Sequence, residues 1–324
     1  MRCPARALGT SARRRGTVAT ARRNINGILG GPEAPRKGGI RPAEAALLLA
    51  LAAMTGVAWA NPAAVPWSAR TSMVTVGVLF AVAALALGEN RTGWRYWCRE
   101  LLPVPVVPFV FLNLGHLIPL VNPAVFDQRL IAWDRALLGH EAQAALYTLP
   151  LPAWTADVLT LAYSTFFFLP IALAVVLAAR RDPYLPQVTA AIVFTFVVSY
   201  AGYFVAPAYG PRSTVAQQRY LSLPAGVVGA PLRKLLDHWE KTKTDAFPSG
   251  HTMVTLAVLF CARRRHRSLY NILLPIGSLL IAATVLLTYH YVVDVLAAVP
   301  LMAASVALAA LFAGKVPRRG QEAA

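Results

Sequence analysis

Seven long apolar runs, each with at most one charged residue, constrain this chain most: 43–60, 72–88, 101–120, 153–179, 186–206, 270–289 and 291–314. Each is long enough, or nearly so, to cross a bilayer as a helix of about 20 residues. A shorter run, 252–262, lies between the fifth and the sixth of these. Hydrocarbon offers no partner for a backbone N–H or C=O, so a spanning segment must satisfy its own hydrogen bonds. No stretch alternates apolar and polar residues at the two-residue period of a membrane barrel. The expected fold is therefore all-α and multi-pass, with about eight transmembrane helices. At 57% hydrophobic and 14% charged residues, an ordinary soluble domain is excluded.

The net charge of +17 would suit a nucleic-acid partner, but its distribution argues otherwise. Ten Lys/Arg fall in residues 1–41 against the single acid Glu33, and others cluster in short loops at Arg180-Arg181, Arg263-Arg264-Arg265 with Arg267, and Lys315, Arg318 and Arg319. Short basic loops follow from the positive-inside rule. Anchoring them in the cytoplasm places 61–71, 121–152 and 207–246 outside and 89–100 inside. Residues 1–41 are Arg/Gly-rich and read as a cytoplasmic leader without a fold of its own. Ala58-Trp59-Ala60 before Asn61 is compatible with signal-peptidase cleavage or with a retained span. Cys3, Cys98 and Cys261 show no ligand or disulfide spacing, and no metal or organic cofactor is expected. Trp94, Trp97, Tyr220 and Trp239 read as interface anchors.

Two motifs carry the polar chemistry. In Phe247-Pro248-Ser249-Gly250-His251-Thr252, proline suits a first helical turn. The free N–H groups of such a turn seat a phosphate. Ser249 adds a donor, Gly250 admits close backbone approach, and His251 can protonate a leaving alcohol. The alternative is a turn that starts a helix, with His251 an interfacial side chain. In His290-Tyr291-Val292-Val293-Asp294, the four-residue spacing lets the two side chains touch on a helix. A carboxylate on one ring nitrogen would leave the other free to attack phosphorus. The alternative is a polar pair that glues two spans.

The topology brings both histidines to the outer face. Sixteen helical steps separate His251 from Arg267, about 24 Å, and twenty-one separate Leu269 from His290, about 32 Å. Straight helices would leave the histidines roughly 8 Å apart in height. The outer 207–246 loop supplies cations: Arg212, Arg219, Arg233, Lys234, Lys241 and Lys243. Arg212, tight against the membrane, is the best phosphate clamp, and the others read mainly as a solvated or headgroup-facing loop. Asp127, Asp134 and Arg135 follow the third span, where an Asp134–Arg135 cap or ion pair is expected.

The combination Pro248-Ser249-Gly250-His251 and His290-x-x-x-Asp294 resembles the type 2 phosphatidic acid phosphatase superfamily. With Tyr209-Gly210-Pro211-Arg212, it is most similar to the inositolphosphotransferase branch, which includes inositol phosphorylceramide synthases. The likeness covers about residues 101–314. It implies a six-helix core over 101–315, preceded by two added spans in 42–100 and followed by a cytoplasmic tail, 316–324. It also implies His290 as a nucleophile that becomes phosphorylated, Asp294 as its orienting carboxylate and His251 as the acid. Arg212, Ser249 and Gly250 would bind the substrate phosphate.

Where that family carries a Ser-Arg pair before its nucleophile, this chain has Ala283 and Thr284. Val205 stands where its first motif has lysine. Lys241 and Lys243 are the candidates to replace the missing cations. The resemblance thus implies a lipid phosphatase or phosphotransferase in a bacterial-type cytoplasmic membrane, its site facing outward. Its substrate would be a phospholipid, prenyl or sphingolipid phosphoester. The rival is a non-catalytic lipid-phosphate binder or transporter.

Overall fold

The computed structural model describes residues 39–89, 92–224, 226–239 and 242–320, with Trp239 described by its backbone alone. Most of the leader with Cys3, Lys241 and the end of the tail lie outside these residues. Among them there is no strand, only an isolated parallel bridge between Ala208 and Asp245. The helices are α1 (Pro42–Ala60), α2 (Trp67–Leu87), α3 (Gly93–Leu101), α4 (Pro103–Val121), α5 (Asp127–Leu138), α6 (His140–Thr148) and α7 (Ala153–Ser164). There follow α8 (Phe168–Ala179), α9 (Leu185–Val205), α10 (Gln217–Leu221), α11 (Gly229–Trp239), α12 (Gly250–Arg265), α13 (Arg267–Leu286) and α14 (Val292–Ala313). The fold is all-helical.

Among the described residues six helices are long and apolar enough to cross a membrane: α1, α2, α3 with α4, α9, α13 and α14. A seventh arises if α7 and α8, bent by 50°, form one span. The bend has a local cause. Pro170 in the first turn of α8 has no N–H to return to Phe166, so the helix breaks where that bond would lie. The expected run 252–262 becomes α12, sixteen residues ending in Arg263, Arg264 and Arg265, too short for that class.

What α12 lacks in length it has in burial. It packs against α8, α9, α13 and α14, and residues on every side of it are buried, from Met253 to Ala262. The neighbouring α9 is buried nearly as thoroughly. By contrast Val78, Leu79, Val82 and Leu85 of α2 are exposed, as befits a helix whose outer face meets lipid.

The basic loops gather at one end. Arg41 pairs with Glu89 and Glu100 at 2.8 and 2.9 Å, and the Arg181 guanidinium lies 4.0 Å from the Tyr96 ring centroid. Arg265 pairs with Asp182 at 2.9 Å. Both histidine motifs lie at the opposite end, so the segments expected on the two sides of a membrane are sorted to two ends of the bundle.

Candidate active site

α12 begins where the apolar run begins. Ser249 is its N-cap: its Oγ accepts from Thr252 N at 3.3 Å and lies 3.0 Å from Thr252 Oγ1. That hydroxyl is fully buried. A Cβ on Gly250 would stand 2.2 Å from the Tyr203 hydroxyl and 3.3 Å from Ser199 Oγ. Glycine is thus required here by the approach of α9. His251, half-buried, stacks on Tyr163 at 4.5 Å and 24° and touches Phe166 at 4.2 Å between centroids. The α7–α8 break puts Phe166 in that position.

His290 is not on a helix. The 270–289 run stops being helical at Leu286, three residues before the expected end. Tyr289 N and His290 N then both donate to Thr284 O at 2.9 Å, folding the chain back through Thr288, whose φ is +63°. The fold-back removes much of the height mismatch expected of two straight helices. His290 Nε2 comes within 3.4 Å of His251 Nδ1, with ring centroids 5.6 Å apart.

The hydrogen bond that orients His290 goes elsewhere than expected. Its Nδ1 lies 2.7 Å from the Ala246 carbonyl, which can only accept, so Nδ1 carries the hydrogen. A neutral ring then presents a lone pair at Nε2, toward His251. Asp294 Oδ2 is 3.6 Å from His290 Nδ1, beyond hydrogen-bond range, and accepts from Tyr291 N at 2.8 Å. Asp294 is fully buried, and its Oδ1 has no hydrogen-bond partner among the described residues. It is a carboxyl neighbour of the imidazole at 3.6 Å, while the backbone carbonyl of Ala246 fixes the tautomer.

Sequence reasoning missed the acids that hold this turn. Asp134 makes no bond to Arg135; it accepts from Val292 N and Val293 N at 3.1 and 2.7 Å and from the Tyr147 hydroxyl at 2.9 Å. A side chain of α5 thereby satisfies the first amides of α14. Asp127, seven residues earlier and on the same face, accepts from Tyr209 N and Gly210 N at 2.9 Å and from the Tyr291 hydroxyl at 2.8 Å. Two buried carboxylates at helical spacing beside a membrane were the available signal.

Arg212 is buried at the rim. Its N donates to Thr288 O at 2.8 Å, and its guanidinium lies 4.8 Å from the Tyr289 ring centroid. Tyr289 stacks on Tyr163 at 4.4 Å, so a column of rings joins Arg212 to His251. Asp237 Oδ1 lies 3.6 Å from the guanidinium and its other oxygen accepts from Tyr220, which meets the edge of Tyr289. Burial, with Asp237 beside it, pushes the Tyr220 phenol up to about 12, so it remains a donor. Tyr220 therefore belongs to this rim. Lys243 Nζ donates to Asp237 O at 3.1 Å. Arg233 is turned inward onto the Leu223 and Pro224 carbonyls, and Arg219 donates to Leu149 O at 3.0 Å. Of the positions where cations were missed, Ala283 and Thr284 are buried inside α13 and Val205 is exposed at the end of α9.

Two facing histidines, a neighbouring carboxylate and a rim arginine are a set able to carry phosphoester chemistry. A sequence profile of the PAP2 superfamily matches residues 128–308, more than half of the chain. The chain belongs to the PAP2 superfamily. No curated protein matches it, nor does any solved structure. The PAP2 match begins in α5 and ends in α14, so it contains both histidine motifs and Asp134. Membership points to phosphoester hydrolysis or transfer, and the apolar helices suit a lipid-phosphate substrate in a membrane.

Proposed function

We propose that this PAP2 protein is an integral-membrane lipid phosphatase or phosphotransferase, nearest the inositolphosphotransferase-like branch, that works through a phosphohistidine. The observation that carries the reading is the 3.4 Å approach of His290 Nε2 to His251 Nδ1 with His290 Nδ1 committed to the Ala246 carbonyl. The Nε2 lone pair of His290 attacks phosphorus as the bond to the leaving alcohol breaks, and protonated His251 gives that alcohol its proton. His251, now neutral, takes a proton from water or an acceptor hydroxyl, which attacks the phosphoryl group and returns the electron pair to Nε2. The buried Asp294 carboxylate stabilises the positive charge on His290 in both steps. Arg212 and the first turn of α12 at Gly250 hold the phosphate oxygens, and Ser249, buried as the cap, shapes that turn.

In-line displacement sets the attacking and protonating nitrogens on opposite sides of phosphorus. Near-attack distances of about 3–3.5 Å, a P–O bond of about 1.6 Å in line with them and a hydrogen bond of about 2.8 Å require the nitrogens to part to about 6–7 Å when substrate enters. His290 is tied to the Ala246 carbonyl, so His251, in ring contact with Tyr163 and Phe166, is the side chain that moves.

A lipid-linked substrate is supported by an apolar groove among α4, α8 and α9, lined by Val104, Val107, Phe167, Ile192, Val193 and Phe196. Phe196 contacts Phe166, which contacts His251. By the positive-inside rule the site opens on the outer side.

The test assays phosphatidic acid, prenyl diphosphate, phosphatidylinositol and ceramide-containing vesicles for released phosphate and new lipid. His290→Ala should abolish turnover and the trapped phosphohistidine. His251→Ala should lower turnover by roughly 10²–10⁴-fold. Wild-type rates in either variant would refute the mechanism, and a folded wild type inert on all four would favour a phosphate-binding role.

A further inference from the structure

At the end of the bundle opposite the histidine pair, a hollow of about 410 Å³ is lined by Arg180, Arg263, Arg264, Arg265, His266, Arg267, Ser268, Arg318 and Arg319. No acidic side chain lines it among the described residues. Asp182, the nearest acid by contact, is taken by Arg265 at 2.9 Å. Diffuse basic charge is what the topology rule produces, but it does not require arginines to converge.

Convergence here is built. Arg319 N donates to Arg264 O at 2.8 Å, Arg264 Nη1 to Val316 O at 2.7 Å and Arg265 Nη1 to Pro317 O at 3.2 Å. These bonds fold the chain after α14 back over α12, delivering Arg318 and Arg319 to Arg263 and Arg267. Such an arrangement repels itself unless an anion neutralises it.

His266 also contributes to the lining. His266 Nδ1 accepts from Leu269 N at 3.1 Å, so its hydrogen sits on Nε2, which is buried and without a partner among the described residues. His266 also begins α13, a twenty-residue helix whose positive dipole end adds to the field.

We propose that this hollow is a second anion site that seats a phosphate group, either the headgroup of an acidic phospholipid or a soluble phosphate. It lies about 21 Å from His251 along α12 and takes no part in the chemistry there.

The test follows thermal unfolding of the full-length protein in a neutral detergent and a phosphate-free buffer at fixed ionic strength. The ligands added are short-chain phosphatidylglycerol, short-chain phosphatidylcholine and pyrophosphate. Acidic lipid should raise the Tm by several degrees and phosphatidylcholine should not. Arg318→Ala/Arg319→Ala should weaken the apparent affinity at least tenfold, with the unliganded Tm not lowered and lipid turnover unchanged. His290→Ala should keep the full response, which separates this site from the histidine pair. A shift by acidic lipid alone identifies the headgroup as the ligand, and an equal shift by pyrophosphate shows that phosphate suffices. No shift with either anion, or an undiminished shift in the double arginine variant, overturns the proposal.

Discussion

At the scale of single residues, the division of labour around His290 differs from the one its sequence suggests. A carboxylate four residues away invites a hydrogen-bonded pair, yet the ring is oriented by the Ala246 carbonyl and Asp294 lies 3.6 Å away. Orientation and the charge stabilisation proposed for Asp294 are therefore separable. Asp294→Asn keeps an oxygen able to accept from Tyr291 N while removing the charge. It should lower kcat on the order of 10–100-fold with KM nearly unchanged, measured with the best vesicle substrate. A KM effect without a kcat effect would contradict the assigned role. A carbonyl carries no sequence signature, since every residue has one.

At the scale of elements, α5 and α12 do the positioning. Asp134→Ala would strip Val292 N, Val293 N and the Tyr147 hydroxyl of their partner. A stability loss of about 2–4 kcal/mol is expected, read as a lower Tm and accompanied by reduced turnover as the His290 turn loosens. Gly250→Ala would push a methyl into the Tyr203 hydroxyl 2.2 Å away, costing about 1–3 kcal/mol. In a double-mutant cycle that cost should shrink in a Tyr203→Phe background, because the atom in the way is gone. An unchanged cost there would mean the glycine is needed for another reason. The long apolar helices were readable from the apolar runs, most within a few residues, whereas α5, α6, α10 and α11 in the outer segments were not. The exceptions are the break before Pro170 and the early end of α13 at Leu286, where a backbone turn overrides a sequence that stays apolar.

At the scale of the whole molecule, the charge pattern sorts two chemically different ends. Arg41, Glu89, Arg265 and the arginine hollow lie at one end, and both histidine motifs at the other. Membrane insertion makes those ends inequivalent, and labelling can read this. In a cysteine-free background, Ser213→Cys should react with an impermeant maleimide in intact cells. Ser268→Cys should react only after permeabilisation. Both serines are exposed, so equal labelling of the two would defeat the assigned topology.

The sequence by itself determined an all-helical membrane architecture and nominated His251, His290 and Asp294. Hydrocarbon permits few backbone structures, and ionisable groups beside long apolar runs stand out against it. Only the tertiary structure decided how those groups meet. It supplied Ala246 as the tautomer lock, Asp127 and Asp134 as braces, and the folded-back chain end that gathers the arginines. Each depends on contacts between segments far apart in the chain, which local pattern and spacing do not encode.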